Sequence, residues 1–255
     1  SFDAVADQTV SVTTTDDDVA GFTIVESDGS TSVDESGTTD TFTVVLDAEP
    51  TSDVVISISS DDTGEATVTS TLTFTSANWD TPQTATVTGA DDFILDGNQS
   101  STVTITVVDS ISDNDFSGVA DQTISATTTD DDVAGFTIVQ SEATTEVAES
   151  GTTDTFTVVL DAEPTSDVVL TVTSSDPGEA TVTSTLTFTS ANWDTPQTIT
   201  VTGVNDDLID GDIVSTVTVV VDDANSNDDF DAVADQTVSV TTTDDDVAGF
   251  TIVES

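Results

Sequence analysis

Hydrophobic residues recur at every second position in short runs along this chain, and polar stretches rich in glycine and aspartate separate the runs. In the segment TFTVVLD, Phe42, Val44 and Leu46 share one face. In STVTITVVD, Val103, Ile105 and Val107 do the same, with threonine on the opposite face. A two-residue period marks strands with one side buried and the other wet. Ser36-Gly37, Glu49-Pro50, Thr63-Gly64 and Asp96-Gly97 punctuate the runs as turns. The pattern predicts about seven strands, at 20–27, 40–48, 53–60, 66–75, 83–90, 101–109 and 121–129. Short strands at this spacing within about 100 residues point to an Ig-like β-sandwich. Its core would be anchored by Phe22, Phe42, Leu72, Phe74 and Trp79.

The whole pattern then repeats. Phe2, Phe116 and Phe230 are 114 residues apart, as are Phe22, Phe136 and Phe250, and Trp79 and Trp193 keep the same offset. Aligned without a gap, residues 1–114 match 115–228 at 81 positions, and 1–27 differ from 229–255 only at Ser1 against Asp229. A period this long is a domain, not a solenoid turn. The fold class is therefore all-β, with tandem Ig-like β-sandwich domains. The strand-like AGFTIVES follows an aspartate triplet that closes the preceding unit, which sets the frame. One sandwich repeat is expected at 19–132 and a second at 133–246, with 1–18 the terminal strand of a preceding repeat and 247–255 the first strand of a following one.

The 255 residues include 51 acidic side chains and no Lys, Arg or His, for a formal net charge of −51. No side-chain ion pair can form, so compensation comes from water, salt or bound metal. Without a basic patch the chain is expected to bind no nucleic acid and to feel no attraction to an anionic membrane surface. No apolar run approaches the ~18 residues that cross a bilayer, so direct membrane insertion of this segment is not expected. With no Cys and no His there is no disulfide framework, zinc–thiolate site or Ser-His-Asp chemistry. Hydroxyl nucleophiles lack a base, and the carboxylates gather at domain ends instead of facing a cleft, so the chain is not expected to be an enzyme. Strong charge can also mean disorder. Against that stand the 35% hydrophobic content in alternating runs and the abundance of threonine, a β-branched residue suited to the wet face of a strand.

Several motifs occur in a fixed order in the first repeat: AGFTIVES, then VDESG at 33–37, LTFT at 72–75, VTGADDFILDG at 87–97 and TTTDDD at 127–132. This order resembles the Calx-beta domain, the Ig-like calcium-binding module of sodium–calcium exchangers. It resembles more closely the tandem Calx-beta-like repeats of very large bacterial surface proteins. The resemblance implies calcium at one end of each sandwich. It would be held in the first repeat by Glu35, Asp92, Asp96, Asp130, Asp131 and Asp132. In the second the ligands would be Glu149, Asp206 or Asp207, Asp210, Asp244, Asp245 and Asp246. The family's further aspartate in the middle loop has no clear match in GEATVTS, although Glu65 and Glu179 lie nearby.

Elementary chemistry reaches calcium independently. Three adjacent carboxylates repel one another, and this chain has no cation to relieve them. Calcium accepts six to eight oxygen ligands in flexible arrangements, whereas magnesium holds its waters and soft metals want Cys or His. The competing reading is a solvated acidic surface of the kind suited to high salt. Asp-Gly pairs such as Asp96-Gly97 are also plain turn signals. For Trp79 and Trp193, carbohydrate stacking competes with a structural role at the sandwich edge, and no neighbouring aromatic in the sequence favours stacking.

Function follows from repetition. Near-identical domains suit a structural extracellular or cell-surface protein, a calcium-stiffened stalk or filament whose partners are neighbouring repeats or other copies of itself. Calcium should then raise the melting temperature and straighten the particle. In a polymer, a strand such as 229–243 could add to the sheet edge of another subunit. The alternatives are a ligand-binding adhesin module and a calcium-sensing regulatory domain. The first would place sharp differences in one loop. The differences at 28–34, 56–63, 93–100 and 105–114 are mostly conservative and bring no aromatic cluster.

Overall fold

The computed structural model describes residues 6–252. All seven runs predicted as strands in the first repeat contain strand. The strands are β1 Phe22–Glu26, β2 Thr31–Asp34, β3 Thr39–Leu46, β4 Val54–Ser60, β5 Ala66–Val68, β6 Thr71–Phe74, β7 Gln83–Gly89, β8 Gln99–Val107 and β9 Gln122–Thr129. The second set is β10 Phe136–Gln140, β11 Thr145–Ala148, β12 Thr153–Leu160, β13 Val168–Ser174, β14 Ala180–Val182, β15 Thr185–Phe188, β16 Gln197–Gly203, β17 Ile213–Val221 and β18 Gln236–Thr243. They form sheets in the order β1-β3-β7-β5 and β2-β9-β8-β4-β6, and again β10-β12-β16-β14 and β11-β18-β17-β13-β15. The chain is all-β, built of Ig-like β-sandwiches.

Each sandwich buries the inward face of both its sheets. In the first, Phe42, Val44, Ala85 and Val87 from one sheet oppose Val54, Ile56, Val103 and Ile105 from the other, all fully buried. Phe156, Val158, Ile199, Val201, Leu170, Val217 and Val219 repeat this in the second. A buried phenylalanine fixes most of its surface here, and Phe156→Ala is expected to cost about 3–5 kcal/mol, read as a lower urea midpoint with unchanged slope.

Two differences from the sequence expectation have local causes. Each repeat has nine strands, not seven, because β2 and β11 were not predicted and the run at 66–75 divides. Thr69 N–H still bonds Thr86 O in one sheet at 2.9 Å, while Ser70 O already accepts from Ile58 N in the other at 2.9 Å. The chain therefore crosses between sheets at that residue pair. The second repeat crosses identically, through Thr183 N–H to Thr200 O at 3.1 Å and Val172 N–H to Ser184 O at 2.9 Å.

Contacts divide the described chain into two compact units, 6–90 with 100–128 and 91–99 with 129–252. The segment 91–99 is thus drawn from between β7 and β8 of the first sandwich and counted with the second unit. The expected strand at 1–18 is not formed over 6–18, and 1–5 lie outside the described residues. The expected strand at 247–255 is likewise absent over 247–252, where Val247, Phe250 and Ile252 are exposed, and 253–255 lie outside the described residues. Residues 236–243, considered above for donation, form β18. It pairs antiparallel with β17 and parallel with β11, so donating it would first break two ladders.

Candidate metal centre

In the second unit, four pieces of chain converge at one end of the sandwich, and backbone geometry aims carboxylates inward from each. Glu149 opens the turn between β11 and β12. Gly151 adopts φ 85° there, a left-handed conformation that glycine takes at no steric cost. Its N–H donates to Ala148 O at 3.0 Å, and Ala148 N–H donates to Thr152 Oγ1 at 2.6 Å. Glu149 N–H reaches Thr243 O, the end of β18, at 3.1 Å. Gly203 closes β16 flush against this turn, so that a Cβ there would lie 2.1 Å from Ala148 O. Gly203→Ala is expected to force the turn aside at a cost of about 3 kcal/mol. Urea unfolding checks this, and an unchanged midpoint would contradict the tight approach.

The glutamate so placed is 1% exposed, and both its carboxylate oxygens are buried without a hydrogen-bond partner. Glu179 enters from the turn before β14. Its carbonyl accepts from Val204 N at 2.8 Å and Thr242 Oγ1 at 3.4 Å, while its side-chain Oε2 is buried without a partner. Asp206 begins the loop after β16, and its Oδ1 caps Leu208 N–H at 2.6 Å. Asp244 follows β18. It accepts from Gly211 N–H at 2.9 Å through Oδ2 and from Asp246 N–H at 2.7 Å through Oδ1, which turns Asp246 inward with its Oδ2 buried and unpartnered.

Two sets of oxygens result, Glu149 with Asp206 and Asp246, and Glu179 with Asp206 and Asp210. Within each set the ligand atoms lie within 4.8 Å of one another. Asp206 belongs to both. A buried carboxylate without a donor is costly, and this chain holds no side-chain cation to compensate it. The donor set, all hard carboxylate oxygen, fits calcium.

The electrostatics agree with the geometry. Burial, then Asp244, Asp206, Glu179 and Asp210, push the Glu149 carboxyl above its ordinary value. Burial, then Asp210, Asp176, Asp206 and Asp244, raise Glu179. Burial, then Asp207, Asp244, Asp245 and Asp206, raise Asp246. Asp132 is raised by burial and then by Asp130, Asp131, Asp92 and Asp91. Other carboxylates shift the opposite way. The N–H of Asp115, the hydroxyl of Thr51 and the N–H of Ser52 hold Asp113 down at about 2. Asp34 and Asp40 are lowered by hydrogen bonds from Ser36 and from Ser27.

These shifts fix a pH dependence. A raised folded-state value means the ion-free native state binds protons before the unfolded chain does. The penalty is present above that raised value and is relieved as pH falls through it. The ion-free protein is therefore expected to gain stability from pH 7 toward the ordinary carboxylate values of 3.8 and 4.5. It should lose stability below them, as the lowered groups protonate, Asp113 last at about 2. Melting curves across this range check the prediction, and calcium should abolish the acid-side gain.

Of the residues expected from sequence, Glu149, Asp210 and Asp246 join the two sets, while Asp244 positions the loop and Asp246. Of the alternatives Asp206 and Asp207, Asp206 joins both sets, whereas Asp207 is exposed and raises Asp246 through its charge. Asp245 is exposed outside the sets, as is Asp131 in the earlier triplet. Glu35 is the counterpart of Glu149 and is equally buried. In segment 91–99, Asp92 Oδ1 caps Ile94 N–H at 2.7 Å. Gly97 N–H, beside Asp96, donates to Asp130 Oδ2 at 2.7 Å, and Asp132 N–H donates to Asp130 Oδ1 at 2.8 Å. These bonds repeat the pattern of the second triplet. Glu179 was missing from the expected set, as was Glu65, its buried counterpart.

Trp79 and Trp193 pack against the two cores. Trp193 lies 5.9 Å from the ring of Phe93, an aromatic neighbour that sequence proximity did not reveal. Among the described residues no helix is long and apolar enough to cross a membrane, which says nothing of crossing by strands.

No protein-family model matches the sequence, and no curated protein does. Solved structures that are similar include CBD12 of CALX1.2, at 13% identity over 77% of this chain and 79% of that one, with a TM-score of 0.31. The calcium-binding domain CBD12 of CALX1.1 is similar at 12% identity over 77% and 79%, with a TM-score of 0.33. Domains 4 and 5 of the S-layer protein SbsC are similar at 18% identity over 74% and 76%, with a TM-score of 0.35.

Proposed function

We propose that this chain is a structural module of an extracellular or cell-surface array, and that calcium bound at the end of each β-sandwich stiffens it. The single observation that supports this most is Glu149. Both its oxygens are buried without a donor beside Asp206 and Asp246, in a chain that has no side-chain cation. A solvated acidic surface does not bury its carboxylates, so the high-salt reading accounts for Asp245 and Asp131 but not for Glu149. One ion would lie among Glu149, Asp206 and Asp246, and a second among Glu179, Asp206 and Asp210. In the sequence, the 114-residue offset gives the first repeat Glu35, Glu65, Asp92, Asp96 and Asp132 at the matching positions.

A rod of equivalent domains needs many like joints and no unique catalytic centre, which the repetition supplies. The like charge would keep near-identical neighbours from misassociating until ions arrive. Equilibrium dialysis tests the reading. Four calcium ions should bind per chain in the presence of excess magnesium. Binding that magnesium displaces fully, or that vanishes at high salt, would overturn it.

A further inference from the structure

We propose that the chain associates end to end with a second copy of itself, the loop 206–211 of one copy seating on the Ala48–Glu49 turn of the next. The observation is a contact made once in the second unit whose two halves recur, unmade, elsewhere in the chain. Segment 91–99 lies on the turn that follows β12. Ile94 and Glu163 form a parallel bridge. Leu95 N–H donates to Glu163 O at 3.0 Å, and Glu163 N–H donates to Phe93 O at 2.6 Å. Leu95 packs on the second core, and the Phe93 ring meets Trp193 at an interplanar angle of 42°. This is strand addition in miniature, with a main-chain register and two apolar side chains beside it.

The receiving turn, Asp161-Ala162-Glu163-Pro164, is repeated letter for letter as Asp47-Ala48-Glu49-Pro50. Among the described residues Glu49 has no such bridge and is exposed. Beside it a groove of about 350 Å³ opens, lined by Ala20, Ala48, Glu49 and Thr51 with Asp16 and Asp18. The inserted half is repeated too. Asp92-Phe93-Ile94-Leu95-Asp96-Gly97 becomes Asp206-Asp207-Leu208-Ile209-Asp210-Gly211. Leu208 and Ile209 are 61% and 59% exposed. One chain therefore presents both the apolar tongue and another copy of the turn that its counterpart occupies, so two copies of the chain carry complementary surfaces. The bridge uses the Leu95 N–H and the Phe93 carbonyl, backbone groups that Ile209 and Asp207 supply equally well. The aromatic contact is the one part not reproduced. Asp207 replaces Phe93 and would face Trp79, which makes the joint between copies weaker than the one within the chain.

The proposal stands on the bridge and the apolar pair, independently of the metal reading. Sedimentation equilibrium of the whole chain tests it. It would be run in about 0.5 M salt, where charges are screened beyond roughly 4 Å, with calcium and with chelator in parallel. The native chain should form concentration-dependent linear oligomers in at least one of the two conditions. The Leu208→Asp/Ile209→Asp variant should associate at least tenfold more weakly, and Asp207→Phe, which restores the aromatic, several-fold more tightly. Glu49→Pro removes the bridging N–H. It should not self-associate, yet mixed with Leu208→Asp/Ile209→Asp, whose turn is intact, it should form one-to-one pairs, whereas mixed with native chain it should terminate growth. A monomer in both conditions would overturn the proposal, as would oligomers that the Leu208→Asp/Ile209→Asp change leaves intact.

Discussion

Saturating calcium is expected to stabilise each sandwich by about 5 kcal/mol. One ion held a hundredfold above its dissociation constant contributes about 2.7 kcal/mol, and the second unit offers two sets of oxygens. For a unit of this size that corresponds to a rise in melting temperature of roughly 20 °C. The physical source is the removal of a native-state penalty. Without ions, Glu149, Glu179 and Asp246 keep buried oxygens that no donor reaches, and their neighbours are all acidic. With ions the same oxygens would become ligands. Scanning calorimetry with calcium and with chelator, at matched ionic strength, checks the shift, and magnesium should give only a small part of it.

Glu149→Gln should act in opposite directions in the two states. In chelator the variant should melt higher than the parent, because an amide removes one buried negative charge from beside Asp206 and Asp246. In calcium it should melt lower. Loss of even a supporting residue costs metal sites about 10–100-fold in affinity, and a direct ligand should cost at least as much. Calcium titration gives the affinity and calorimetry the sign. A simple packing role for Glu149 would lower both melting temperatures or neither. Asp207→Asn, at an exposed position outside the sets, serves as the matched charge control and should change calcium affinity far less.

How much of this was legible in the sequence depended on how local each cause is. Strands such as β3 and β8 were legible because Phe42, Val44 and Leu46, or Val103, Ile105 and Val107, carry the whole inward face. β2 was not, because its inward residues are Val33 and a buried threonine, Thr31, whose hydroxyl donates to Glu26 Oε1 at 2.8 Å. In β11, Thr145 does the same toward Gln140 Oε1 at 2.9 Å. A threonine buried through a side-chain partner reads as a wet-face residue. The division of 66–75 stayed hidden because alternation continues across the point where the chain changes sheets.

The site divides in the same way. Aspartate triplets announce themselves by repulsion with no relief in the chain, and the triplet positions 244 and 246 are where the structure uses them. Glu179 stands alone in GEATVTS, and only the pairing of β14 with β16 carries it toward Asp206 and Asp210. The choice between Asp206 and Asp207 turned on an Asx turn, since Asp206 Oδ1 is the atom that accepts from Leu208 N–H. Phe93 and Trp193 are 100 residues apart in sequence, and no local pattern joins them.

The buried carboxylates are expected to be calcium ligands. The most direct measurement is a crystal structure of the chain grown in calcium, with anomalous differences collected to mark the ions. One peak is expected among Glu149, Asp206 and Asp246, and a second among Glu179, Asp206 and Asp210. Calcium found only at exposed carboxylates such as Asp245, with the Glu149 oxygens still bare in protein saturated with the ion, would contradict the account.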